Sequence, residues 1–99
     1  MSRHYQTERR AREERIRKIG LGKVVASFII DRGHPNGPEI HKLTSTAIIL
    51  IYNQRTRVHV TSLIARPGQI KRYYKNSDIL PDKEIIRLAR IHQKMGLNK

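Results

Sequence analysis

The chain has 99 residues, enough for one small domain, and carries 21 Lys+Arg against 8 Asp+Glu, a formal net charge of +13. That excess attracts polyanions, nucleic acid first among them, and an acidic protein partner would feel the same field. The lack of Cys excludes disulfides, thiolate metal sites and a cysteine nucleophile, and no apolar run approaches the ~18 residues that span a bilayer.

The first 19 residues read as a basic helical arm. From Gln6 to Ile19 they are good helix formers without Gly or Pro. Thr7 is a candidate cap, and Glu8/Arg12 and Glu14/Lys18 are i,i+4 pairs in the favourable order. Ile16 and Ile19 can dock the last turn on the body while the rest projects into water. This N-terminus has no apolar stretch of the secretory type, so a cytoplasmic protein without a membrane partner is expected. Gly20 and Gly22 break the helix. Lys23 to Asp31 fits a helix face or a strand, and its β-branched and aromatic content favours the strand.

Arg32 to Pro38, RGHPNGP, is a turn built on Asn36-Gly37 between two prolines. Glu39 to Thr44 reads as a short strand, Ser45-Thr46 as a tight break, and Ala47 to Tyr52, AIILIY, as a central strand. A polar turn over Asn53 to Thr56 leads to a strand from Val58 to Ala65, ended by Pro67-Gly68. Gln69 to Tyr74 then reads as an edge strand or an extension beyond a bulge. Such an edge offers a pairing surface for a second copy, a homodimer.

Asn76 to Pro81 is a linker, and Asp82 can cap a final helix over 82–95. Ile85, Ile86, Leu88, Ala89 and His92 give that helix an apolar stripe, extended by Met95, and Gly96 stands where a C′ glycine belongs. One α+β domain over 1–99 results: an N-terminal basic helix, a sheet region over 20–75 with an antiparallel sheet of three or four strands, and a C-terminal amphipathic helix.

The residues that could carry chemistry cluster in Arg55 to Tyr74, RTRVHVTSLIARPGQIKRYY, which holds no acid. Arg55, Arg57, Arg66, Lys71 and Arg72 supply phosphate contacts, with Lys42 on a neighbouring strand. Tyr73 and Tyr74 either stack on bases or anchor the sheet. Strand alternation places Arg57, His59 and Thr61 on one face, and Glu39 and His41 on one face of theirs; register decides whether these faces coincide. The five histidines lack zinc-binding spacing, and no phosphate loop, dinucleotide fingerprint or serine-nucleophile motif occurs. No metal and no cofactor is expected.

These groups do suit metal-independent RNA cleavage. A base takes the proton of the 2′-hydroxyl, cations stabilise the phosphorane, and an acid protonates the leaving oxygen. His34, His41 and His59 are candidate acids or bases, because histidine as a residue type titrates near neutral pH; Arg57, Arg66 and Arg72 are cations, Tyr73 can stack or donate, and Glu39 is a further base.

In layout the chain resembles the small RelE/barnase-like ribonuclease toxins. The likeness rests on the basic helix before the sheet, the strands HKLTSTAIILIYN and RTRVHVTSLIARPGQIKRYY, and the Arg, His and Tyr of the late strands. It implies a metal-free ribonuclease with His59, Arg66 and Tyr73 as candidate catalytic residues, and with His41 and Lys42 beside them. The expectation is a protein that binds RNA or single strands through its sheet face, with endoribonuclease activity as the sharper form. The alternative is a non-enzymatic accessory protein, of phage or mobile-element type, that binds an acidic protein or joins a ribonucleoprotein.

Overall fold

The computed structural model describes residues 3–75 and 77–98. Asn76, where the expected linker begins, lies outside the described residues, as does the side chain of His4. The chain runs α1 (Arg3–Ile19), β1 (Val24–Ile30), β2 (Glu39–Thr44), β3 (Ile48–Asn53), β4 (His59–Ile64), α2 (Pro67–Tyr74) and α3 (Lys83–Lys94). The strands form one antiparallel sheet in the order β1-β2-β3-β4. The architecture is α+β, with helices at both ends of the chain. No described helix is long and apolar enough to cross a membrane.

Short connections explain the meander. The β2–β3 loop is Ser45 to Ala47, and Ala47 closes it at φ 64. A three-residue hairpin loop that ends left-handed has this geometry. In the β3–β4 loop the Asn53 carboxamide oxygen accepts from the backbone N–H groups of Arg55 (2.9 Å) and Thr56 (3.0 Å). Arg57 then takes φ 63 before the strand begins.

Register assigns the two sides of the sheet. His41 lies opposite Ile51, and Ile51 opposite Thr61; Lys42 lies opposite Leu50, and Leu50 opposite Ser62. Leu43, Ile49 and Ile51 therefore face one side, where Ile70 of α2 and Ile85 and Ala89 of α3 complete the main core. Ile48 and Ile64 face the other side, where Ile16 of α1 covers them beside Ile19 and Leu50. We call these the two-helix side and the α1 side.

The helices depart from expectation in instructive ways. α1 starts at Arg3, so Thr7 is inside it and is not its cap. Ile16 docks as expected, but the arm does not simply project. Arg9 Nη2 donates to the Val60 carbonyl (3.3 Å) and Arg12 Nη2 to Thr61 Oγ1 (3.0 Å). The arm thus lies along β4, and a covered edge strand is protected from pairing with other chains.

The segment Gln69–Tyr74 is not an edge strand. It is the body of α2. Pro67 sits at the first helical turn, where its missing N–H costs nothing. The Gln69 side-chain oxygen accepts from the Arg66 backbone N–H (2.9 Å), the reach-back half of a capping box. The pairing edge expected near Gln69–Tyr74 therefore does not exist; the outer strands are β1 and β4, and α1 lies along β4.

α3 matches its stripe more closely. The Asp82 carboxylate accepts from Glu84 N–H (2.8 Å), and Gly96 follows the helix at φ 71. Ile85, Ala89 and His92 are buried, but Met95 is 66% exposed and does not extend the stripe.

Two stability predictions follow from this packing. Ile70 is 0% exposed and joins α2 to the core, so Ile70→Ala should cost about 2–5 kcal/mol in urea unfolding. His92 is 7% exposed, its Nδ1 is buried with no partner among the described residues, and burial pushes its pKa below the ordinary 6.5. The unfolded chain takes up that proton first as pH falls, so His92 contributes stability above about pH 6.5 that is lost below it. The difference in stability between His92→Leu and the parent, followed from neutral to acid pH, should widen in favour of the variant.

Candidate functional site

The geometry that stands out is a hydrogen-bonded chain on the two-helix side. Glu39 and His41 alternate along β2 and point the same way, as strand parity requires. His41 Nε2 lies 3.1 Å from Glu39 Oε1, and His41 Nδ1 is hydrogen-bonded to the Tyr73 hydroxyl. A carboxylate only accepts, so Nε2 carries a proton and donates to Glu39. In neutral His41 the Nδ1 lone pair then accepts from Tyr73. His41 is 3% exposed and is shut away from any ligand; the Tyr73 phenol is the half-buried end of the chain.

Packing fixes that phenol. Tyr73 stacks on Phe28 of β1, with centroids 5.0 Å apart and planes at 16°, and Tyr74 meets Phe28 edge-on at 5.1 Å and 79°. Tyr74 is thus an anchor of α2, and Tyr73 gives one ring face to Phe28. Burial raises the Tyr73 pKa above the ordinary 10.0; the Glu39 charge adds to the rise, and Arg32 and Arg72 oppose it. Tyr73 therefore keeps its proton at neutral pH while two cations face it. Arg32, Arg72, Tyr73, Gln69 and Phe28 line one cleft of about 780 Å³.

The remaining candidates sit elsewhere. A register shift between the Ile51–Thr61 and Tyr52–His59 pairs breaks the alternation of β4. His59 therefore faces the α1 side and Thr61 the two-helix side, so they do not share a face, and Arg57 precedes the strand altogether. His59 and His41 are on opposite sides of the sheet and cannot serve one reacting group. His59 Nε2 is bonded to Ser62 Oγ (2.8 Å), and its ring packs edge-on against Tyr52 at 5.4 Å. Lys42 Nζ stands 5.0 Å from the centre of the same Tyr52 ring. His34 caps its own turn by accepting from Asn36 N–H (3.2 Å).

Arg55 is exposed on the β3–β4 loop and packs over Gly37, where a Cβ would lie 2.8 Å from its Nε. Lys71 and Arg72 are exposed on α2, and Arg66 is its N-cap, with Nη2 donating to the Asn98 carbonyl (3.2 Å). No group of three or more His, Asp and Glu among the described residues is placed to hold a metal ion.

Sequence reading missed Arg32, Phe28, Tyr52 and Arg12 as contributors. Arg32 lay inside a segment read as a turn, and Tyr52 at the end of an apolar strand, so neither carried a local signal. No protein family, curated protein or solved structure matches this chain.

The cation pair makes a prediction about the phenol. In an ultraviolet phenolate titration, a transition missing in Tyr73→Phe should lie above the ordinary value of 10.0. Arg72→Gln should move it higher still, because removing a cation destabilises the phenolate. An unshifted transition would mean that the phenol is not held among these groups.

Proposed function

We propose that the protein binds single-stranded RNA and cleaves it without a metal ion, with Tyr73 at the reacting phosphate. The observation that carries this reading is the Glu39–His41–Tyr73 hydrogen-bonded chain, which ends in a cleft beside Arg32 and Arg72. Its logic is that of a carboxylate orienting a histidine that serves a hydroxyl. The 2′-oxygen of the substrate forms its bond to phosphorus and passes its proton to the Tyr73 oxygen. The phenol at the same time gives its own proton to His41 Nδ1. The bond from phosphorus to the 5′-oxygen breaks, and that oxygen leaves with a proton from water. Glu39 stabilises the imidazolium until it returns its proton to solvent.

Each group has a defined task. Arg32 and Arg72 stabilise charge on the phosphorane oxygens. His41 accepts the proton but is buried, so it acts through Tyr73. The raised phenol pKa favours this relay over a free phenolate: Tyr73 stays neutral, able to accept one proton as it donates another. The products are a 2′,3′-cyclic phosphate and a 5′-hydroxyl. A nucleic acid without 2′-hydroxyls is bound but not cut, which sets RNA apart from DNA in the chemical step.

A second reading, binding without catalysis, draws on the α1 side. There Tyr52, Lys42 and His59 form an aromatic and cationic strip on the sheet, and such strips accept stacked single-stranded bases. An acidic protein partner has the net charge alone in its favour.

The test is labelled single-stranded RNA incubated with the protein in EDTA, with band shift and cleavage read from one sample. Cleavage is expected in the parent, with a loss of about 100-fold or more in Tyr73→Phe, a variant that keeps the ring on Phe28. His41→Asn should lose activity similarly while RNA binding persists. A salt-sensitive shift with intact RNA would overturn the ribonuclease reading in favour of the binding strip, and loss of that shift in Tyr52→Ala would place it there.

A further inference from the structure

We infer that a second cleft, at the other end of α2 from the reacting group, is a subsite for a neighbouring backbone phosphate of the same RNA strand. The inference rests on the RNA-binding part of the proposed function and goes beyond it, because it states how much strand the protein grips and with which residues. The cleft holds about 530 Å³ and is lined by Arg12, Arg66 and Arg72, with Gln69 and Asn98 beside them. No carboxylate lines it. Three guanidinium groups from three different parts of the fold converge there: α1, the N-cap of α2 and the body of α2.

Like charges do not gather in one cleft for stability. They repel one another, and the protein already carries a formal net charge of +13. The arrangement is held by contacts that leave donors over. Arg12 spends Nη2 on Thr61 Oγ1 (3.0 Å), and Arg66 spends Nη2 on the Asn98 carbonyl (3.2 Å). Each guanidinium carries five N–H donors in a planar fork, the geometry that matches a phosphate. These anchors orient the forks before any ligand arrives.

Position argues for a phosphate of the same strand. Arg72 lines both this cleft and the one that holds Tyr73. From Arg66 to Tyr73 the helix climbs about 10 Å, at ~1.5 Å per residue, which an extended strand covers in a nucleotide or two. A strand that crosses Arg72 with one phosphate at Tyr73 therefore brings another to Arg12 and Arg66. The α1 arm is then part of the binding surface through Arg12.

The test uses a 2′-deoxy hexanucleotide and a 2′-deoxy dinucleotide, neither of which can be cleaved, with affinities measured over a range of salt. Arg66→Gln and Arg12→Gln should each weaken hexanucleotide binding about tenfold, the scale of one hydrogen bond to a charged group. Each should also lower the slope of log affinity against log salt by about 0.7, and leave the dinucleotide unaffected. Arg66 is exposed, so its substitution does not depend on refolding of the core. Unchanged hexanucleotide affinity in both variants would overturn the subsite, as would an equal loss for the dinucleotide. Competition by polyglutamate at matched charge, as effective as by the hexanucleotide, would also overturn it and mark an unspecific polyanion patch. If the parent binds the hexanucleotide with this Arg dependence yet cleaves no RNA, the ribonuclease reading fails and the subsite stands. If it cleaves through Tyr73 and the Arg variants bind normally, the reverse holds.

Discussion

β2 and β3 run between two other strands, with helices packed on both sides of the sheet, so their backbone groups must find partners within the sheet itself. Their pairing, with His41 opposite Ile51 and Lys42 opposite Leu50, sorts every side chain of the centre to one side or the other. A slip of one residue would send Leu43 and Ile49 out of the main core and Ile48 into it. The same slip would turn His41 away from α2. Core packing and the candidate site thus depend on one register, and hydrophobic burial that maintains the sheet also maintains the hydrogen-bonded chain at Tyr73.

Charge is the opposing term. A formal net charge of +13 on 99 residues repels itself, and the aliphatic core has to outweigh that repulsion. The fold sets four of its arginines at clefts. Arg32 and Arg72 stand at the phenol and Arg12 and Arg66 at the second cleft. An RNA strand across α2 would relieve this repulsion as it binds, and a ligand that binds the folded state alone stabilises it by mass action. On the proposed reading, binding and stability would be coupled through the same arginines.

α2 is the element that joins these themes. Its inner residue Ile70 enters the core, Tyr73 and Tyr74 grip Phe28, and Gln69 and Arg72 reach toward the clefts. A short helix is marginal alone, so burial and ring packing hold it in place. The Tyr73 hydroxyl is consequently positioned by β1 and β2, two strands distant in sequence, and not by its own neighbours.

Much of the fold was legible along the chain. Alternation and β-branched runs mark β2 and β3, the glycine and proline clusters mark their ends, and Asp82 and Gly96 bracket α3, because these signals are local. The Glu39/His41 pairing was legible too, since strand parity needs no partner. The Gln69–Tyr74 segment was not. Its aromatic pair fits a strand as well as a helix, and the cues that decide it, Pro67 at the first turn and Gln69 reaching back to Arg66, act through backbone hydrogen bonds that a residue pattern shows weakly. The parting of His59 from His41 follows from a register shift in β4, and no run of residue types announces one extra residue between two pairs. Composition and local pattern by themselves determined a strongly basic α+β domain, from which a polyanion partner was the expectation. Which histidine meets which tyrosine, and which arginines share a cleft, was decided by tertiary structure alone, because those contacts join residues that only sheet register and helix docking bring within reach.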